Sequence, residues 1–316
     1  MLRTSMARRR AASGGIEALY PRGFWPAISL PGVLWLIALF VVPFYAIAAT
    51  AAGRLDPIFG SSIPEWNPLY WQPDAFSFVL DGLASPGGIF REVFLRTIAY
   101  VTLAVGLCLA LGYPVAYYMS RLRGRLRNAF LVLMIVPVWV PYLMRIFAWV
   151  NLRQDDGLVT RIVAATGFVA PQSWLDGRPS TVILGLVYGW VPFLILPLFA
   201  ALERIDASFV ESALDLGASP ARAFLRVTLP LSKQGILAGT VIIMLPMFGD
   251  FYTAQLLGTQ KNAMIGTLIS FYLTQATAGP AQGRGAALVI VLALLVSSLT
   301  VYYLVSTARA ARGAGR

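Results

Sequence analysis

Hydrophobic and polar positions alternate along this chain on the length scale of a bilayer. Mostly aliphatic runs with few or no charges are separated by polar connections, and six of the runs are long enough to cross as helices. The first lies in Gly23–Gly53, where no charge appears for 31 residues. The others are Thr97–Ser120, Asn128–Leu152, Pro179–Leu202, Gln234–Gln260 and Gly285–Ala308. Pro114, Pro137, Pro141, Pro192 and Pro197 fall inside these runs, as membrane helices tolerate, and a bend is expected at Pro137 or Pro141. Ala46–Ala48 and Ala49–Ala51 imitate a signal-peptidase site, but the apolar stretch before them is too long for a signal peptide and reads as a retained anchor.

The connections carry their own patterns. Residues 1–22 form a basic tail with Arg3, Arg8, Arg9, Arg10 and Arg22, and 309–316 a second one. Residues 54–96 form the longest polar loop, rich in Trp, Pro, Gly and acids, with some structure of its own expected. Leu158–Phe168 is too short to cross and reads as a surface segment at the outer side, where Asp155, Asp156 and Asp176 flank it. Asn262–Gly283 is uncharged for 22 residues, but Gly266, Gly279, Pro280 and scattered Thr and Gln favour an outer-surface helix over a seventh span. A seventh span would also put the basic C-terminus outside.

One connection stands apart. Asp206–Leu231 is a polar, amphipathic interruption within the loop 203–233. Ser208 and Glu211 form an S-x-x-E capping box, so a helix is expected to start at Ser208. Gly217 stands where a left-handed residue would end it. Ser219–Pro220 offers a fresh cap followed by proline in the first turn. Phe209, Ala213 and Leu216 share one face of the first helix; Phe224, Val227 and Leu231 share one face of the second. Such an elbow suits docking into a partner's groove.

Composition agrees with an all-α polytopic membrane protein: 58% of residues are hydrophobic and 12% charged, against about 25% charged in soluble domains. The net charge of +11 is not a nucleic-acid patch, because the basic residues sit in short segments beside apolar runs. Arg121, Arg123, Arg125 and Arg127, wedged between two spans, mark an inner border. With six spans and both termini inside, the inner segments hold 16 of 25 basic residues and 5 of 14 acids, while the outer loops hold eight acids. Cys108 is the only cysteine and histidine is absent, which removes intrachain disulfides, His/Cys metal sites and histidine acid–base chemistry. No GxxxxGK[ST] occurs, and neither Lys233 nor Lys261 follows a glycine, so the chain is not itself a P-loop ATPase.

Glu211–Ser212–Ala213, then Gly217, then Val227-x-Leu229–Pro230 resembles the EAA loop of ABC-importer permeases, with Ser212 for Ala and Val227 for Ile. The resemblance implies a type I importer permease fold in a bacterial inner membrane. It also implies that this loop is the cytoplasmic coupling helix seated in an ATPase subunit, with Phe209, Glu211, Ser212, Ala213, Leu216, Gly217 and Pro230 as coupling residues. The implied partners are two ATP-binding cassette subunits, a second and homologous permease, and a periplasmic substrate-binding protein. ATP and Mg would be held by the partner ATPases, with no cofactor on this chain and no enzymatic activity of its own.

Asp250 is the one carboxylate within a span, a functional candidate on that ground. Arg145 falls at a similar depth, each about 25 Å along its helix at ~1.5 Å per residue. Two readings stand: a mutually neutralising pair, or an acid facing a substrate path. Tyr188, Trp190, Phe248, Phe251 and Tyr252 could line that path for an organic cation, or simply pack. Gly112–Tyr117, Met144–Trp149, and the stretch from Asp250 through Leu256–Gly258 to Met264–Gly266 resemble the spermidine/putrescine branch of these permeases, which implies polyamine import by alternating access. Neighbouring branches carry opines, phosphonates or iron. An ATP-independent transporter would need its own coupling-ion site, for which Asp250 alone is thin support. A membrane-embedded enzyme lacks the convergent nucleophiles and ligands it would need. A passive scaffold would transport normally with Glu211 or Gly217 mutated.

Overall fold

The computed structural model describes residues 24–56, 58, 61–154, 157–166, 178–275 and 280–313. The basic tail at 1–22 and the acids Asp155, Asp156 and Asp176 lie outside the described residues, as does Arg316. The helices are α1 Phe24–Ala51, α2 Asp74–Ala84, α3 Ile89–Arg121, α4 Gly124–Ile135, α5 Tyr142–Arg153, α6 Leu158–Thr166 and α7 Pro179–Glu203. They continue with α8 Ala207–Asp215, α9 Pro220–Ala223, α10 Lys233–Phe248, α11 Tyr252–Leu257, α12 Ile265–Ser270 and α13 Ala281–Gly313. A two-stranded antiparallel ribbon, β1 Arg54–Leu55 with β2 Ser62–Ile63, lies between α1 and α2.

Among the described residues four helices, α1, α3, α7 and α13, are continuous and apolar enough to cross a membrane, and two bent pairs bring the number to six if each is one crossing. One pair, Gly124–Trp139 with Tyr142–Leu152, carries the bend expected at Pro137 or Pro141; the other, Pro220–Leu231 with Lys233–Phe248, bends by 61° where the elbow meets α10. α4 and α5 meet at 87°, because the chain leaves the helix through a 3₁₀ turn at Val136–Trp139 and Pro141 cannot continue it. The expected fifth span stops at Phe248, and Gly249–Phe251 separates α10 from α11, so Asp250 sits at a break instead of inside a helix. The second span starts at Ile89, well before Thr97, and the last one at Ala281.

The core is built around α7, packed between α3 and α10. Leu186, Leu194 and Leu198 of α7 are fully buried with Met119, Ile243 and Met247. Close approach comes from small residues: a Cβ at Gly235 would stand 2.3 Å from Ala201 Cβ, and one at Gly239 2.7 Å from Leu194 Cδ1. Helices in lipid gain little from burying apolar surface against one another, so such small-residue contacts set how closely they pack.

A second cluster lies at the end opposite the Arg121–Arg127 border. Ala51, Val79, Phe90, Val93, Ile265 and Leu288 join the end of α1 to α2, α3, α12 and α13. The polar loop is fastened there: the Gly283 N–H donates to Ser62 Oγ (3.1 Å), and Arg284 stacks 3.7 Å above the Phe78 ring. The stretch read as an outer-surface helix is here a 3₁₀ turn, α12 and a π turn at Phe271–Gln275. The Ile265 N–H donates to Thr97 Oγ1 (2.9 Å) and the Tyr100 hydroxyl to Asn262 Oδ1 (3.0 Å), which pins this stretch on α3. α1 is buried at Ala49 and Ala51 near its end, while Trp35 is 67% and Phe40 63% exposed in the isolated chain, as befits a lipid-facing helix.

Candidate functional site

Two regions answer to the residues singled out in the sequence. The elbow comes first. α8 starts at Ala207, with Asp206 as its cap accepting from the Ser208 N–H (2.9 Å); Ser208 is not the cap, and the exposed Glu211 takes no part in it. Asp caps as well as Ser does, and its charge also suits the positive helix N-terminus. Hydrogen bonds from the Ser208 backbone N–H first, and from its hydroxyl second, hold the Asp206 carboxyl below its ordinary value.

At the other end Gly217 has φ +83°. The Ala218 N–H donates to Ala213 O (3.0 Å) and the Gly217 N–H to Leu214 O (2.9 Å), the paired bonds of a Schellman turn. Ser219 then caps α9, accepting from the Arg222 N–H (3.4 Å), with Pro220 next. Phe209 is 58% and Leu216 89% exposed, so this apolar face has no cover among the described residues; Ser212 is exposed and Ala213 half-buried.

The second half of the elbow departs from the expected single face. Pro230 has no N–H for the Arg226 carbonyl, and its ring crowds that carbonyl. The turn Phe224–Thr228 widens to a π turn, in which the Leu229 N–H donates to Phe224 O. Phe224 packs edge-on against Tyr113 (5.7 Å) and Tyr117 (5.5 Å) of α3, whereas Leu231 is 50% exposed. Tyr113 also bonds Ser232 Oγ (2.8 Å), and Arg127 pairs with Glu203 at the same border. The elbow is thus clamped to the bundle on one side and bare on the other.

The second region lies at the two breaks. Asp250, 7% exposed, accepts from the Thr253 N–H (3.0 Å) at Oδ1, and from the Thr253 hydroxyl (2.7 Å) and the Tyr142 hydroxyl (2.5 Å) at Oδ2. Tyr142 and Thr253 hydroxyls are also 2.5 Å apart. Arg145, equally buried, does not pair with Asp250 directly; its guanidinium stands 5.5 Å above the Tyr142 ring, and its Nε has no hydrogen-bond partner. Of the two readings, the direct ion pair gives way to a layered arrangement in which one tyrosine touches both.

Of the aromatic candidates, Trp190 joins this cluster, 5.7 Å from Tyr142, with Phe193 beyond it at 5.6 Å. Tyr188, about 200° around α7 from Trp190 at ~100° per residue, is exposed and stacks on Trp149 instead. Phe248 is buried in the main core, and Phe251 and Tyr252 stack on each other at 3.9 Å. A cavity of 580 Å³ opens between the start of α3 and α11–α12, with Glu92, Arg96, Gln255, Lys261 and Phe271 in its wall; none of the candidate path residues lines it.

Sequence reasoning passed over Tyr142, Thr253, Gly185 and Gly189. A Cβ on Gly189 would stand 2.5 Å from the Tyr142 ring, and one on Gly185 2.4 Å from Leu257 Cδ1 and 2.7 Å from Thr253 Cγ2. The two glycines, four apart on α7, form the seat on which both broken segments rest. The G-x-x-x-G spacing within an apolar run was the available signal.

Residues 108–310 match the family described as binding-protein-dependent transport system inner membrane component. The chain is 34% identical over 269 residues to the spermidine/putrescine transport system permease protein PotB of Escherichia coli, covering 85% of this chain and 92% of that one. It is 35% identical over 181 residues to PotB of Haemophilus influenzae, covering 57% and 63%. Among solved structures, a chain of the bacterial alginate ABC transporter in complex with its alginate pentasaccharide-bound periplasmic protein aligns with a TM-score of 0.69 at 17% identity, over 88% of this chain and 92% of that one, a likeness of fold.

Proposed function

Because the chain belongs to the family of binding-protein-dependent transport system inner membrane components, we propose that it is one permease subunit of an ATP-driven importer of spermidine, putrescine or a related small organic cation. It works by alternating access. Its complex holds two ATP-binding cassette subunits, which bind ATP and Mg, a second and homologous permease, and a periplasmic substrate-binding protein. Gly124–Trp139 with Tyr142–Leu152 counts as one crossing and Lys233–Phe248 as another, with the elbow at the inner border, giving six spans with both termini cytoplasmic, as the distribution of Arg and Lys supports.

The elbow couples to an ATPase: Phe209 and Leu216 enter its cleft, and Glu211, Ser212, Ala213, Gly217 and Pro230 keep the elbow's shape and contacts. The path runs by Asp250, Trp190 and Arg145, with Tyr188, Phe248, Phe251 and Tyr252 around it. The observation that carries the class is the bare, doubly capped elbow clamped to α3 through Phe224. The polyamine assignment rests on the likeness to PotB, and an acid at a helix break suits a cationic cargo.

The test is uptake of radiolabelled spermidine and putrescine into proteoliposomes holding the whole assembly and its binding protein, with ATP hydrolysis followed alongside. Saturable, ATP-dependent uptake of either polyamine is expected. Absence of polyamine uptake, with ATP turnover still stimulated by the binding protein, would overturn the substrate and leave the class.

A further inference from the structure

We infer that Tyr142 is a displaceable cap on Asp250, its hydroxyl standing where an ammonium group of the cargo binds. This rests on the reading of Asp250 as a path residue. Three oxygens, Asp250 Oδ2, Thr253 Oγ1 and the Tyr142 hydroxyl, lie within 2.7 Å of one another in pairs. The two hydroxyls bring one proton each, so two protons serve three contacts, and the cluster is short of one donor. A primary ammonium brings three donors and a charge, and can satisfy Asp250 and Thr253 together once the phenol withdraws.

The phenol has a means of withdrawing. Tyr142 is the first residue of α5, directly after the break at Pro141, and its ring rests on the bare backbone of Gly189, with no side chain at that position of α7 to hold it. With the hydroxyl withdrawn, the rings of Tyr142 and Trp190, 5.7 Å apart, offer π faces to the methylene-flanked cation. Arg145 sets a limit on how tightly the cation is held. Its buried guanidinium lies on the Tyr142 ring, so an arriving ammonium meets a like charge behind the cap, which favours onward release. The side chains that touch Asp250 are therefore Tyr142 of α5 and Thr253 of α11, with Arg145 on the Tyr142 ring.

The experiment is equilibrium binding of radiolabelled spermidine to the complete permease–ATPase assembly in nanodiscs, without binding protein, so that delivery does not mask the membrane site. Tyr142→Phe keeps the ring and removes the competing hydroxyl; Kd is expected to fall about tenfold, the size of a hydrogen bond to a charged group. Gly189→Ala, which pushes the ring by its Cβ, is expected to lower Kd in the same direction. Asp250→Asn is expected to raise Kd at least about tenfold, and Tyr142→Phe added to it is expected to change nothing more. An unchanged or higher Kd in Tyr142→Phe, with Asp250→Asn still weakening binding, overturns the cap and leaves Asp250 as a path residue. An Asp250→Asn assembly that binds like wild type overturns both.

Discussion

The elbow and the cluster at the helix breaks were both found from a few polar residues in an apolar chain, yet they are made in opposite ways. The elbow is assembled from neighbours in sequence: Asp206 caps Ala207–Asp215, Gly217 ends it, and Ser219 starts the next turn. The cluster brings together Tyr142 of α5, Gly189 of α7 and Asp250 of the break between α10 and α11. The elbow keeps its apolar face bare, while the cluster buries two groups of opposite charge with a tyrosine between them. A surface built by local rules can change partners without losing its shape. A buried site built by tertiary approach has its shape only while the helices stay where they are.

Substitutions can break that contrast at either end, and the largest effect is expected at Gly217. With φ +83°, any side chain there is strained, by about 1–2 kcal/mol. Gly217→Trp also puts bulk on the docking face. Polyamine uptake by the reconstituted assembly should be lost and ATP hydrolysis should no longer respond to the binding protein; retained uptake would remove the elbow from the coupling path. Next is Gly185→Leu, where the new Cβ stands 2.4 Å from Leu257 Cδ1. Overpacking of that kind costs about 1–3 kcal/mol, so the melting temperature of the purified assembly should fall while the proposed docking of the elbow on an ATPase subunit should be kept.

Phe224→Ala sharpens the comparison from the other side. It removes two edge-on aromatic contacts, to Tyr113 and Tyr117, each about 0.5–1.5 kcal/mol beyond simple burial. Faster proteolysis of the elbow with an unchanged melting temperature for the bundle is the expected outcome. The smallest effect is at Asp206. Its lowered carboxyl keeps the cap charged through neutral and mildly acidic pH; the contribution is full above the ordinary carboxylate range and is lost as pH falls through the lowered value. Hydrogen exchange at Ser208–Glu211 should rise only in stronger acid, and Asp206→Ala should remove that dependence.

The same contrast explains what was legible in the sequence. Caps, turn glycines and amphipathic faces act within a few residues, so the elbow was readable down to Gly217 and Ser219. The misreading of Ser208 as cap came from two good capping residues standing two apart, of which the charged one prevails. Hydropathy found the long helices but not the breaks, because Gly249–Phe251 stays within an uncharged run apart from Asp250 itself. The bend at Pro137–Pro141 was legible, but its 87° was not: a proline ends hydrogen bonding, while the angle is set by what the next segment packs upon. Tyr142 carried no signal of its own. Its role is visible only from Gly189, across the bundle.

The π turn at Phe224–Thr228 has a consequence for angular phase. A uniform helix would bring residues 224 and 231 onto one side, since seven steps fall within about 20° of two full turns. One extra residue in the turn advances everything after it by about 100°, so Phe224 faces α3 while Leu231 faces away. The exposed face of α8 and the helix α10 are therefore set at a fixed dihedral offset, like two gears keyed on one shaft. Deleting a single residue from that turn would re-index one against the other without unfolding either.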